Sequence, residues 1–130
     1  MIRRAAPLLL ALALASCAHD LWISDRLFFG RSIPGGGGRV SDEEWNAFVA
    51  EVVTPRFPAG LTIHTARGQW REATGEIVGE DVAVIEILHP ASDAAERAIG
   101  EIQRAYCERF KQEAVMRVRE RARVTFVQGM

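Results

Sequence analysis

The segment Asp81–Leu88 is apolar in both of its alternating sets, and this restricts the fold more than any other feature of the chain. Ala83, Ile85 and Ile87 fall on one side of an extended backbone, Val82, Val84 and Leu88 on the other, and only Glu86 interrupts. Side chains alternate across a strand, and a strand apolar on both sides is covered on both sides. The segment therefore belongs inside a sheet.

The neighbouring patterns supply that sheet. A first strand is expected over Arg26–Arg31, dense in Leu27, Phe28 and Phe29, and the run Ile33–Gly38 after it is a loop. Ser41 and Glu44 stand in capping-box spacing at the start of a helix. In that helix Trp45, Phe48, Val49 and Val52 share one face, and Pro55 ends it. A second strand follows Gly60, with Leu61, Ile63 and Thr65 alternating against Thr62, His64 and Ala66. Gly68, Gly75 and Gly79 then punctuate a long connection that holds Gln69, Trp70 and Arg71. A second helix begins near Ser92, and Ala95, Ile99, Ile102, Tyr106 and Phe110 form its apolar stripe. The last segment sets Met116, Val118, Ala122, Val124 and Phe126 against Arg117, Arg119, Arg121 and Arg123. It is long for one strand, so a bulge or break near Arg119–Arg121 is expected.

The order strand, helix, strand, strand, helix, strand is the split βαβ pattern. The fold class is α+β, ferredoxin-like, a four-stranded antiparallel sheet with two helices on one face. The other face has no cover within the chain, and a second copy is the simplest lid, so a homodimer is expected.

The chain begins with a basic pair, Arg3-Arg4, an apolar run from Ala5 to Ala15, and Leu14-Ala15-Ser16-Cys17. The apolar run is about half the length of a membrane span and reads as an export signal. Its end resembles the lipobox of bacterial lipoproteins, which implies cleavage before Cys17 and acyl chains on that cysteine. Residues 1–16 are then a lipoprotein signal peptide, 17–25 a tether and 26–130 a single α+β domain. An ordinary signal peptide that holds a cysteine, and a twin-arginine signal, are the competing readings. Ala18 after the cysteine favours the periplasmic face of the outer membrane over the inner membrane. Trp22 in the tether either lies at lipid headgroups or docks on the domain. With Arg3 and Arg4 removed, the formal charge falls from −1 to about −3, so no electrostatic footprint for nucleic acid is present. Cys107 is then the lone thiol of the domain, either buried in a helix or paired between molecules.

Phe29-Gly30-Arg31, the stretch Trp45–Phe57 with Thr54-Pro55-Arg56-Phe57, Gly68-Gln69-Trp70-Arg71, Leu88-His89-Pro90, and Phe110–Val118 with Gln112-Glu113 together resemble the bacterial family known as domain of unknown function 3574. The resemblance spans nearly the whole mature chain and implies one compact, exported domain. It carries over no catalytic residue and no cofactor.

Chemistry is sparse. The glycine run lacks the lysine and hydroxyl of a P-loop. His64 and His89 are too few for a metal site; no metal and no cofactor are expected. Glu80-Asp81 and Asp42-Glu43-Glu44 read as loop and helix-end charges, because adjacent side chains diverge. The arginine row reads as a solvated strand face, or as one facing anionic lipid. Arg56, Gln69, Trp70, Arg71, His89 and Gln112 lie near the ends of elements. Arginines that hold a carboxylate and a tryptophan wall make them a candidate pocket for a small anionic ligand. The expected function is a lipid-anchored, non-enzymatic binding or interaction module, attached to the membrane through Cys17. The alternative is a small dimeric α+β enzyme acting on a small anionic molecule in the periplasm.

Overall fold

The computed structural model describes residues 21–129. The expected signal peptide, residues 1–16, and Cys17 lie outside the described residues. Among those described, no helix is long and apolar enough to cross a membrane.

The elements run β1 (Trp22–Gly30), α1 (Asp42–Phe48), β2 (Thr62–Arg71), β3 (Ile77–Pro90), α2 (Asp93–Phe110) and β4 (Met116–Ala122). The sheet is four-stranded in the order β2-β3-β1-β4, with every pairing antiparallel. Strand β3, apolar on both sides, is interior as expected, between β1 and β2. The fold is ferredoxin-like α+β.

Local chemistry accounts for the elements. Ser41 caps α1 by accepting from the Glu44 amide, and the Glu44 carboxylate accepts from the Ser41 amide. This closes two donors that a helix start otherwise leaves open. The last turns loosen into a π-helical segment over Val49–Val53. Ser92 caps α2 through the Ala95 amide, and every residue of the α2 apolar stripe is buried. Lys111 ends α2 in the left-handed conformation, φ 52°, and donates its amide to the Cys107 carbonyl. That turn reverses the chain and sends Gln112, Glu113 and Ala114 toward the sheet.

Both helices pack on one side. Leu27, Phe29, Ile85, Ile87, Phe48, Ile99, Ile102 and Tyr106 meet there in one core. Phe29 stands edge-on to Trp45, Phe48 and Tyr106, with ring centroids 4.8–6.0 Å apart, an arrangement aromatic quadrupoles favour.

Three boundaries differ from the sequence reading. Strand β1 begins at Trp22, so Trp22–Asp25, assigned above to the tether, are sheet residues; Ile23 and Asp25 are buried in it. Gly68–Arg71 lie inside β2 and Gly79 inside β3, because the hairpin turns only at Glu72–Glu76. Glycines placed at alternating positions break the hydrophobic signal without breaking the ladder. Strand β4 runs without a bulge from Met116 and ends at Ala122, short of the expected length.

Candidate functional site

The helix side of the sheet holds a buried charge cluster. Asp25, with no solvent exposure, sits among Ile23, Leu27 and Phe29 on β1. Its carboxylate lies 2.7 Å from His89 Nε2 on β3 and accepts from Arg117 Nε at 2.6 Å and Nη2 at 3.1 Å on β4. Arg117 also forks onto Glu96 of α2 at 2.7 and 2.9 Å, and Arg119 joins Glu96 as well. His89 Nδ1 faces the Pro90 carbonyl at 2.8 Å. Both ring nitrogens therefore face oxygen atoms. The two carboxylates raise the Arg117 guanidinium above its usual value, and Arg117 lowers that of Glu96. Every partner is satisfied, as a buried ion cluster requires. It rivets three strands and a helix.

The opposite face is open, and a cavity of about 390 Å³ lies at one end of it, within the size range of small-molecule sites. Phe28 and Gly30 of β1, Gly68, Gln69 and Trp70 of β2, Glu80 and Val82 of β3, Met116 of β4, and Gln112, Glu113 and Ala114 after α2 line it. Register brings them together: Gly68 is opposite Glu80, Val82 opposite Gly30, and Met116 opposite Phe28.

Two groups in this lining are under-used. The Trp70 indole N–H is buried with no hydrogen-bond partner among the described residues, a state that costs about 1–3 kcal/mol unless something accepts from it. Burial pushes the Glu80 carboxyl up from its ordinary value, although the Ser32 amide donates to it at 3.2 Å. Gln112 donates from its amide to the Ser32 carbonyl at 2.8 Å. Glu80 packs on the bare Gly30 backbone: a Cβ there would stand 2.6 Å from its carboxylate oxygen and would displace that side chain. Among the described residues the only ionisable side chains in the lining are Glu80 and Glu113, and no arginine, lysine or histidine joins them.

The structure divides the residues singled out in the sequence. Gln69, Trp70 and Gln112 meet in the cavity. Arg56 does not; it pairs with Glu101 at 3.0 Å and donates to the Val52 carbonyl. Arg71 lies at the exposed end of β2, opposite Ile77. His89 belongs to the charge cluster across the sheet. His64 faces the open side, 3.8 Å from Glu86, so the two histidines lie on opposite faces. No group of three metal-ligating side chains exists among the described residues. Glu80, read above as loop solvation, is instead a cavity residue, and Arg117, read as part of a solvated row, is turned into the core. The sequence reading missed Phe28, Val82 and Met116, whose alternation out of phase with Leu27 and Ile85 was the available signal, and Asp25, hidden in a presumed tether.

The family model described as "Protein of unknown function (DUF3574)" matches residues 24–126. The comparison with curated proteins finds no match. Two solved structures share the fold. A phage SAM lyase in complex with S-methyl-5'-thioadenosine is 19% identical, with a TM-score of 0.64 over 77% of this chain and 81% of that one. A phage SAM lyase in the apo state is 18% identical, with a TM-score of 0.60 over 84% and 87%. These neighbours overturn the expectation of a non-enzymatic module. The fold they share with this chain is carried there by an enzyme that holds a small molecule. The chain belongs to the DUF3574 family.

Proposed function

We propose that this member of the DUF3574 family is a small enzyme whose active site is the cavity on the open face of the sheet. The observation that carries the reading is a ligand-sized cavity that combines an unsatisfied indole donor with a carboxyl held partly out of water. A carboxyl raised by desolvation keeps its proton to higher pH than an exposed one and can exchange it with a ligand, so Glu80 is the acid–base candidate. Trp70, with Phe28 and Val82, supplies a wall for a flat ring, and its buried N–H beside the cavity is left without an acceptor. Gln69 and Gln112 offer amide contacts.

The lining also changes the ligand class. A site with two carboxylates and no cation repels anions, so the small anionic molecule expected from Arg56 and Arg71 gives way to a neutral or positively charged one. Support for a nucleoside-like ligand comes from the phage neighbour, which binds S-methyl-5'-thioadenosine. The test is calorimetry with that thioether and with S-adenosylmethionine, followed by mass spectrometry for products. Saturable binding that Trp70→Ala abolishes supports the reading; no binding of either compound, with the fold intact, overturns it for this ligand class.

The lipobox-like Leu14–Cys17 supports anchoring through acylated Cys17 at the periplasmic face of the outer membrane. Intact-mass measurement of the membrane-purified protein tests this: an uncut chain starting at Met1 rejects it. An exported domain draws its ligand from the periplasm, so S-methyl-5'-thioadenosine is a probe of the site's chemistry rather than an assigned substrate. A homodimer through the open face is supported by exposed Leu88 and Met116, although Val84 is already buried between its cross-strand neighbours Phe28 and His64. Light scattering that returns a monomer at high concentration excludes it.

A further inference from the structure

The end of the sheet remote from the cavity gathers a second set of residues that the core does not use. Leu21 is 48% exposed, Phe126 77% and Val127 96%. Trp22, half-buried, meets Phe126 edge-on at 6.2 Å, which folds the tail beyond β4 back beside the first residue of β1. Pro90 and Ala91 complete this end: Pro90 pairs with Trp22, and the Ala91 amide donates to the Leu21 carbonyl at 2.7 Å. Ala122 is opposite Trp22 and Arg121 opposite Ile23. Arg117 and Arg119 are tied to Glu96, and Arg26 to Glu120. Arg121 and Arg123 lie beyond these pairs and are exposed.

We propose that this end of the sheet, built from Leu21, Trp22, Arg121, Arg123, Phe126 and Val127, is a membrane-docking surface for a bilayer that contains anionic phospholipid.

Three observations select that occupant. The composition is an aromatic and aliphatic cluster flanked by arginines, the combination that sits at the headgroup boundary. The charge is complementary to anionic headgroups. The chain enters the fold at this end: Cys17 lies four residues before Leu21, and that stretch reaches at most about 14 Å. A lipid on Cys17 would hold Trp22 at the bilayer surface. The argument from reach rests on the lipid-anchor reading above, whereas the composition and exposure do not.

The docking sets the orientation of the active site. Trp22 and Gly30 are the two ends of β1, about 26 Å apart at a strand's rise. Gly30 lines the cavity, so docking at the Trp22 end holds the cavity a strand's length from the bilayer surface, within the aqueous phase.

The experiment uses the full chain purified from membranes and reconstituted into phosphatidylcholine vesicles with or without phosphatidylglycerol. Its tryptophan fluorescence is quenched with lipids brominated near the headgroup. Docking predicts that Trp22→Phe removes most of the quenching and Trp70→Phe little of it. Equal quenching in wild type and Trp22→Phe, or its loss in Trp70→Phe, overturns the proposal, and an unchanged melting curve certifies each variant. The anchor is judged separately, by mass. If Cys17 proves unacylated, docking still predicts that binding depends on phosphatidylglycerol. Arg121→Gln with Arg123→Gln then weakens it roughly five-fold per arginine, about 30-fold together. Binding indifferent to both changes overturns the proposal, whatever the state of Cys17.

Discussion

The two polar clusters of this sheet lie on opposite faces and differ in how completely they are satisfied. Asp25, His89, Arg117 and Glu96 close their bonds on one another under α2. Glu80, Gln112 and Trp70, on the open face, leave an indole donor unused and a carboxyl partly desolvated. The first arrangement has nothing left to offer a ligand and contributes rigidity. The second is incomplete as it stands, and the proposed site rests on that. Satisfaction, rather than the presence of charged residues, separates scaffold from site in this fold.

The largest effect expected from this contrast is on stability. Asp25→Ala leaves Arg117 and His89 facing a void beneath α2, and breaking a buried pair costs about 3–5 kcal/mol. Urea denaturation measures it. A loss below about 1 kcal/mol would mean that water or Glu96 takes over the partners, and the cluster would not be the rivet described.

Next comes Trp70, where binding should suffer more than folding. Trp70→Phe keeps a ring on the wall but removes the N–H together with the rest of the pyrrole ring. Affinity for S-methyl-5'-thioadenosine should fall about ten-fold, as loss of one hydrogen bond of about 1.4 kcal/mol predicts. Stability without ligand should fall only by the packing of the lost ring atoms, about 1 kcal/mol, since the deleted donor had no partner. A clearly larger loss would show that the indole N–H is satisfied in the free protein after all.

Glu80 sharpens the comparison through pH. Burial raises its carboxyl, so folding favours the protonated form. Its contribution to stability is present at low pH and is lost as pH rises through the raised value. Glu80→Gln removes that loss: the variant should be the more stable at neutral pH, with the gap closing on acidification. Asp42 and Glu96, held down by Arg31 and Arg117, run the other way. Their stabilisation is present above the ordinary carboxylate range and is lost as pH falls. Affinity for a positively charged ligand should drop in Glu80→Gln, and in the wild type as pH falls through the raised Glu80 value. Calorimetry across pH that finds no change would remove Glu80 from the ligand's surroundings.

Much of the scaffold could be read from the chain because its signals are local. The Ser41–Glu44 capping box, the α2 stripe from Ala95 to Phe110 and the doubly apolar β3 each depend on spacing within one element. The site was legible only in part because it depends on register between elements. Gln69, Trp70 and Gln112 stood out by residue type. Glu80 did not, since its role comes from lying opposite Gly68 and beside Gly30, which no single strand discloses. Asp25 was hidden for the converse reason: a charged residue close behind an expected leader looks like tether, and only its pairing with Ile87 and Arg119 turns it inward toward Arg117 and His89. Arg56 and Arg71 looked like ligand clamps because a free arginine and a paired one are identical in sequence.

The smallest expected effect tests whether the helix end that delivers Gln112 and Glu113 is built for stability or for placement. Lys111 holds φ 52°, a conformation that disfavours a side chain and that glycine adopts freely. Lys111→Gly should therefore stabilise the protein by about 0.5–1 kcal/mol, the relief of strain being partly offset by the greater freedom of glycine in the unfolded chain. The backbone path is unchanged, so Gln112 should still reach the Ser32 carbonyl, and affinity for S-methyl-5'-thioadenosine should match the wild type. A gain in melting temperature with equal affinity would place the turn with the scaffold. A gain accompanied by weaker binding would show that lysine at this strained position holds the cavity wall in place, and the boundary between the two regions would move to include the end of α2.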